Sequence, residues 1–172
     1  MQKIYVLSDI HGQSRAFFEM LEKIQFSSED KLYIIGDVVD RGPDGIKLLE
    51  YIRGQKNMVL LMGNHEDMML RTMNDEESWY ETWLFNGGGV TLASLMSFPK
   101  EEQERCIEFV KNLPLYRMIS VEGKQYLLVH AGIDVSRGES EEQIAAMDRD
   151  TLLWIRREFF NAKLSCPYTV IF

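Results

Sequence analysis

Four short apolar runs, each broken off by a polar motif containing glycine, constrain this chain more than any other feature. Residues 4–7, 32–35, 58–62 and 126–129 are apolar at nearly every consecutive position, the pattern of strands covered on both faces of a sheet. Ser8-Asp9-Ile10-His11-Gly12 follows the first run, and Gly36-Asp37-Val38-Val39-Asp40-Arg41-Gly42 the second. Gly63-Asn64-His65-Glu66 follows the third and His130-Ala131-Gly132 the fourth. Helical patterns separate the first three runs. Residues 14–24 place Phe17, Phe18, Leu21 and Ile24 at helix spacing; residues 43–53 open on a first-turn proline and align Ile46, Leu49 and Ile52. Strand–helix–strand repetition predicts an α/β architecture. In such sheets the site lies beyond the carboxyl ends of the strands, so four motifs leaving four strand ends can converge.

Residues 65–112 read as almost wholly helical, punctuated by Gly87-Gly88-Gly89 and Pro99. This predicts a helical layer beside the sheet within a single domain spanning 1–172. Residues 115–121 and 124–129 flank Glu122-Gly123 as a hairpin. Residues 140–147 and 151–160 predict two further helices, and 169–172 a last strand. The formal charge of −8 comes with no basic stripe, which argues against a nucleic-acid partner. No segment approaches the roughly 18 apolar residues of a membrane span. Two cysteines in no paired spacing and no secretory leader predict a reduced, cytoplasmic setting. The ten scattered methionines read as core filling. Oligomeric state is not written in the sequence.

All three histidines fall inside the four motifs. Asp, His and Asn together supply oxygen and imidazole ligands suited to a pair of divalent transition ions. A carboxylate such as Asp37 can bridge two metals roughly 3.5–4 Å apart, Asn64 adds a ligand without charge, and two cations acidify a bridging water. Each motif alone has a structural alternative. Asp and Gly form ordinary turns, Asn64 can cap a helix with Glu66 favouring its dipole, and His130 can be a satisfied core histidine. As an ordered set the motifs point to a site.

That set, Asp9-x-His11, Gly36-Asp37-x-x-Asp40-Arg41-Gly42, Gly63-Asn64-His65-Glu66 and His130-Ala131-Gly132, resembles the phosphoprotein phosphatase family of calcineurin-like metallophosphoesterases, in particular its bacterial and phage serine/threonine branch. The resemblance implies a layered α/β/β/α sandwich with mixed sheets. It implies that Asp9, His11 and Asp37 hold one metal, and Asp37, Asn64 and His130 the other, with manganese foremost and iron or zinc as alternatives. His65 would be the general acid and Asp40 would orient it. Arg41 would grip the phosphate, with Arg156 as a second such arginine; the alternative for Arg156 is an exposed helix arginine like Arg157. The implied activity is dinuclear-metal-dependent hydrolysis of a phosphomonoester, in a phosphorylated protein or small molecule, by metal-activated hydroxide. Two rivals share these features. Symmetrical dinucleoside polyphosphate hydrolases carry much of the set, though they usually lack a counterpart of Asp40 and often have Asp in place of Glu66. A catalytically impaired binding module is the other. Two departures from the family stand out. Met62 occupies a position where many relatives have arginine, and no histidine motif follows residues 169–172 to supply the family's last ligand. The chain is therefore expected to be truncated at its C-terminus, with its second metal held weakly.

Overall fold

Three parallel strands, β1 (Ile4–Leu7), β2 (Lys31–Ile34) and β3 (Met58–Leu60), form one sheet in that order. The computed structural model describes residues 2–74, 76 and 79–172. Helices α1 (Ser14–Lys23) and α2 (Gly45–Arg53) connect these strands, and α3 (Asn64–Met73) leaves β3. Then come α4 (Trp79–Phe85), α5 (Gly89–Met96) and α6 (Lys100–Lys111). A second sheet follows, with β4 (Tyr116–Val121) antiparallel to β5 (Lys124–Val129) and β5 parallel to the final β6 (Thr169–Ile171). Between β5 and β6 lie a 3₁₀ turn (Val135–Arg137), α7 (Glu141–Ala145), α8 (Arg149–Trp154) and α9 (Arg157–Phe160).

The layering follows from the period-two alternation of strand side chains. Leu32, Ile34 and Leu60 face a helical core containing Ile46, Leu49, Met68, Met69, Trp83, Leu95 and Val110. Their neighbours Tyr33, Ile35, Val59 and Leu61 face the opposite way and meet Ile119, Tyr126, Leu128 and Ile171 of the second sheet. Leu127 and Val129 then turn to Ile144, Leu152 and Phe159 on the far side. The order is therefore helices, sheet, sheet, helices, and the uninterrupted apolar runs are explained by strands covered on both faces. Edge strand β1 is the exception, with its four residues only half-buried.

Several sequence expectations need correcting. Only the second sheet is mixed; the first is wholly parallel. The helix expected over 43–53 starts at Gly45, with Pro43 in the turn before it. The single helix expected over 151–160 is two, α8 and α9, because the backbone leaves helical geometry at Ile155 (φ −60°, ψ 137°) and Arg156 (φ −138°, ψ −76°). The expected helical stretch 65–112 appears as α3 to α6, while its residues Asp75, Glu77 and Ser78 lie outside the described set. Cys106 and Cys166 are both free thiols. Among the described residues no helix is long and apolar enough to cross a membrane.

Candidate functional site

The loops leaving β1, β2, β3 and β5 meet at one point, and they do so through unusual backbone. Asp9, His11, Asp37, Asp40 and Arg41 have φ of 56°, 45°, 58°, 70° and 65°. Asp and His tolerate this left-handed region better than most residues, whereas Arg41 has no such excuse. Gly36, at φ +94°, sits where the loops cross: a β-carbon there would lie 2.5 Å from Gly63 Cα and 2.8 Å from His130 Nδ1. Only glycine lets three strand ends come this close.

Glu66 ties the loops together. Its carboxylate is fully buried and accepts N–H groups from Asp37 and Val38 (2.8 Å each), Val39 (3.2 Å) and Gly63 (3.0 Å). Gly63, rather than Asn64, is the N-cap residue of α3, so Glu66 closes the helix start while cradling the β2 loop. Burial, then the neighbouring Asp37 carboxylate, push the Glu66 carboxyl up to about 7, against the pull of the backbone donors. A cation on Asp37 would oppose that repulsion.

The imidazoles are oriented as metal ligands are. His11 donates Nδ1–H to Val39 O at 3.0 Å, and His130 donates its own to Ile35 O at 2.9 Å. Ligating histidines are commonly fixed in this way, with the other nitrogen left free for the metal. The Nε2 atoms converge on Asp37, His11 at 3.7 Å from Oδ2 and His130 at 3.6 Å from Oδ1. Asp9 Oδ1 is 3.8 Å from His11 Nε2. Nitrogen lone pairs and carboxylate oxygens repel one another at these separations unless positive charge lies between them. Asn64 Oδ1 is buried without a hydrogen-bond partner, an orphaned acceptor that a cation would satisfy. The donor set of Asp9, His11, Asp37, Asn64 and His130 therefore fits two divalent ions. His11, Asp37 and His65 also come within 4.8 Å of one another as a possible metal cluster. His65 is the weakest member, since its Nδ1 is held by the buried Asp40 carboxylate and its Nε2 stands farthest from Asp37, 4.0 Å from Oδ2.

His65 Nδ1 lies 2.6 Å from Asp40 Oδ2, and its Nε2 accepts from Arg41 at 2.9 Å. The other arm of the Arg41 fork reaches His11 Nε2 at 2.8 Å. Asp40 is wholly buried; Trp83 Nε1–H donates to the same Oδ2 at 2.9 Å, and Asp40 N–H donates to Thr91 Oγ1 at 2.9 Å. Neither Trp83 nor Thr91 stands out in the sequence, and Glu66 reads there as a motif member and helix-start acid, not as the support of the β2 loop. Tryptophan is the one signal that could have marked Trp83, because a buried indole N–H needs an acceptor. Arg156 is brought to the same place by the α8–α9 break. It lines a cleft of about 230 Å³ with Asp9, His130, Ala131, Ile155, Phe160 and Phe172. All nine residues singled out in the sequence thus gather on one rim.

Known proteins resemble this chain in sequence and in fold. The serine/threonine-protein phosphatase 1 of Salmonella typhimurium is 27% identical over 161 residues, 93% of this chain and 71% of that protein. A symmetrical bis(5'-nucleosyl)-tetraphosphatase of Paracidovorax citrulli is 30% identical over 132 residues, covering 76% of this chain but 44% of its own length. A solved serine/threonine phosphatase from Saccharomyces cerevisiae matches in fold with a TM-score of 0.58, at 20% identity, over 90% of this chain and 52% of that one. The model of calcineurin-like phosphoesterases matches residues 2–171, and the chain belongs to that family.

Proposed function

We propose that this chain is the metal- and phosphate-handling part of a dinuclear phosphomonoester hydrolase, with phosphoserine or phosphothreonine in proteins as the substrate class. The observation that carries this reading is the pair of imidazoles, His11 and His130, each fixed through Nδ1 and aimed through Nε2 at opposite oxygens of Asp37. Asp9, His11 and Asp37 would hold one ion, and Asp37, Asn64 and His130 the other. Manganese is the leading candidate, and iron or zinc suit the same donors. When bound, the ions supply an activated water and neutralise phosphoryl charge.

The chain's own residues do the rest. Asp40 and Trp83 fix His65 with Nε2 outward, so that its imidazolium can hand a proton to the leaving oxygen. Arg41 bridges His11 and His65 across the site, and its planar fork can turn to take two phosphoryl oxygens. Arg156 faces the same cleft from the other sheet. The test is hydrolysis of an aryl phosphate with manganese. His65→Asn should lower kcat about 10²–10⁴-fold while leaving the number of bound metals unchanged. Activity indifferent to a chelator would overturn the reading.

Hydrolysis of a dinucleoside polyphosphate is the second reading, favoured by the 30% identity to the Paracidovorax citrulli tetraphosphatase. Asp40 beside His65, and Glu66 at the centre of the loops, favour the phosphatase. Turnover of diadenosine tetraphosphate exceeding that of a phosphopeptide would reverse this order.

A further inference from the structure

Asp67, the residue after Glu66, takes no part in the chemistry above, yet it is a wholly buried carboxyl group. Its Oδ2 accepts from Arg71 Nε at 3.0 Å, one turn along α3, and from Trp154 Nε1 at 3.2 Å, across 87 residues of chain. Its Oδ1 lies 2.5 Å from Arg149 Nε, an ion pair held by proximity more than by hydrogen-bond alignment. Arg71 in turn binds Asp150 and lies 4.5 Å from the centre of the Trp79 ring, which packs on Trp154 at 5.8 Å. Arg149 and Asp150 begin α8 and Trp154 ends it. One buried carboxylate and its arginine thus bind both ends of α8 to α3, the helix that carries Asn64, His65 and Glu66.

Two residues after Trp154 comes Arg156. It is exposed, and among the described residues its guanidinium meets no hydrogen-bond or ion-pair partner. Nothing at the side chain aims it into the cleft beside Asp9 and His130, so its aim is set by the backbone that enters it. That backbone leaves helical geometry at Ile155, immediately after the residue Asp67 holds. A buried carboxylate between two guanidinium groups is a poor source of net stability, because desolvation offsets most of the attraction. A geometric role accounts for it better.

We infer that Asp67 is a positioning residue, which clamps α8 to α3 through Arg149 and Trp154 so that Arg156 faces the phosphoryl group held by the β1–β3 loops. The inference rests on Arg156 being a phosphate ligand, as proposed above. The experiment measures the affinity of inorganic phosphate for the manganese-loaded protein by calorimetry, in a double-mutant cycle of Asp67→Asn and Arg156→Ala. Arg156→Ala alone is expected to weaken phosphate about tenfold. Asp67→Asn alone should weaken it about fivefold, and add nothing once Arg156 is gone. Manganese stoichiometry should stay the same in all four proteins. Should Asp67→Asn fail to fold, Trp154→Phe keeps an aromatic ring, though a smaller one, and removes the N–H, and is expected to weaken phosphate about twofold with the same dependence on Arg156. An equal loss in both Arg156 backgrounds, or no loss at all, overturns the positioning role. No effect of Arg156→Ala overturns it too, and shows that the fault lies in the phosphate-ligand reading, since the manganese count tests the metal reading separately.

Discussion

The two sheets deliver residues to the same rim by different means. Around the first sheet the chain arrives strained and polar: Asp9, His11, Asp37, Asp40 and Arg41 sit at positive φ, and Asp37, Asp40, His65 and Glu66 are buried. Helices α1, α2 and α3 begin there without a side-chain hydrogen bond from the N-cap residue. Around the second sheet the chain is more conventional, with Glu122 (φ 50°) in the β4–β5 turn and the uncapped start of α9 as its exceptions among the described residues. Asp134, Ser140 and Asp148 each cap the turn or helix they precede, and His130 simply follows β5. The contrast teaches that the first sheet's rim needs an internal support, since a non-glycine residue in a sparsely populated region persists only where its surroundings over-determine it, at about 1–3 kcal/mol each. Glu66 is that support.

The largest expected effect breaks or confirms this point. Glu66→Ala strands four buried N–H groups, each of which costs about 1–3 kcal/mol when unsatisfied. It should therefore destabilise the protein by more than about 4 kcal/mol in urea denaturation, if it folds at all. Leu152→Ala, a truncation in the second sheet's own core, should cost about 2–5 kcal/mol and leave manganese binding intact. A Glu66→Ala protein destabilised by less than about 4 kcal/mol would dissolve the distinction between the two rims.

A smaller effect uses matched glycines. Gly36→Ala would press its β-carbon into Gly63 Cα and the His130 ring, atoms that cannot withdraw without moving two ligand loops. Gly138→Ala, at φ +115°, meets only the Gln143 side chain, which can swing aside at the cost of its bond to Ser140 N–H. Thermal unfolding should show the larger loss for Gly36→Ala, with about 1–3 kcal/mol for Gly138→Ala. Only Gly36→Ala should reduce the number of manganese ions bound. Equal losses would mean that the crossing of the loops tolerates a methyl group.

These supports mark how far the sequence could be read. The strand ends and their motifs are legible because ligand and strand are adjacent in the chain, as in residues 58–62 followed by Asn64 and His65. The α/β/β/α layering is implied by resemblance, and is explained physically only once alternate residues such as Leu32 and Tyr33 are seen to face different layers. The partners of Asp40 are illegible: Trp83 and Thr91 reach it across 43 and 51 residues with no local periodicity to announce them. The break between α8 and α9 is hidden for a related reason. Residues 151–160 keep helical spacing, while the feature that fixes their path, Asp67 on Trp154, lies in another layer.

The smallest expected effect sharpens the comparison by moving its boundary. Asp148 is held well below the usual carboxylate range, chiefly by the Thr151 N–H and then by Arg137. Asp30 is also lowered, first by the Lys3 N–H and then by Ser27. Asp30 belongs to the first sheet's half, but it stands at the amino ends of β1 and β2, away from the ligand loops. Local carboxylate–N–H bonds of this ordinary kind therefore occur at the amino end of the first sheet as well as around the second. A carboxyl group whose folded pKa is depressed adds stability above its unfolded value of about 4 and loses it as the pH falls towards the folded value. Asp30→Asn and Asp148→Asn should each flatten the fall in stability between roughly pH 5 and pH 2, measured by urea denaturation at stepped pH, and change little near neutrality. A flattening by Asp148→Asn alone would place the boundary between the sheets; a flattening by both places it between the site end of the first sheet and everything else.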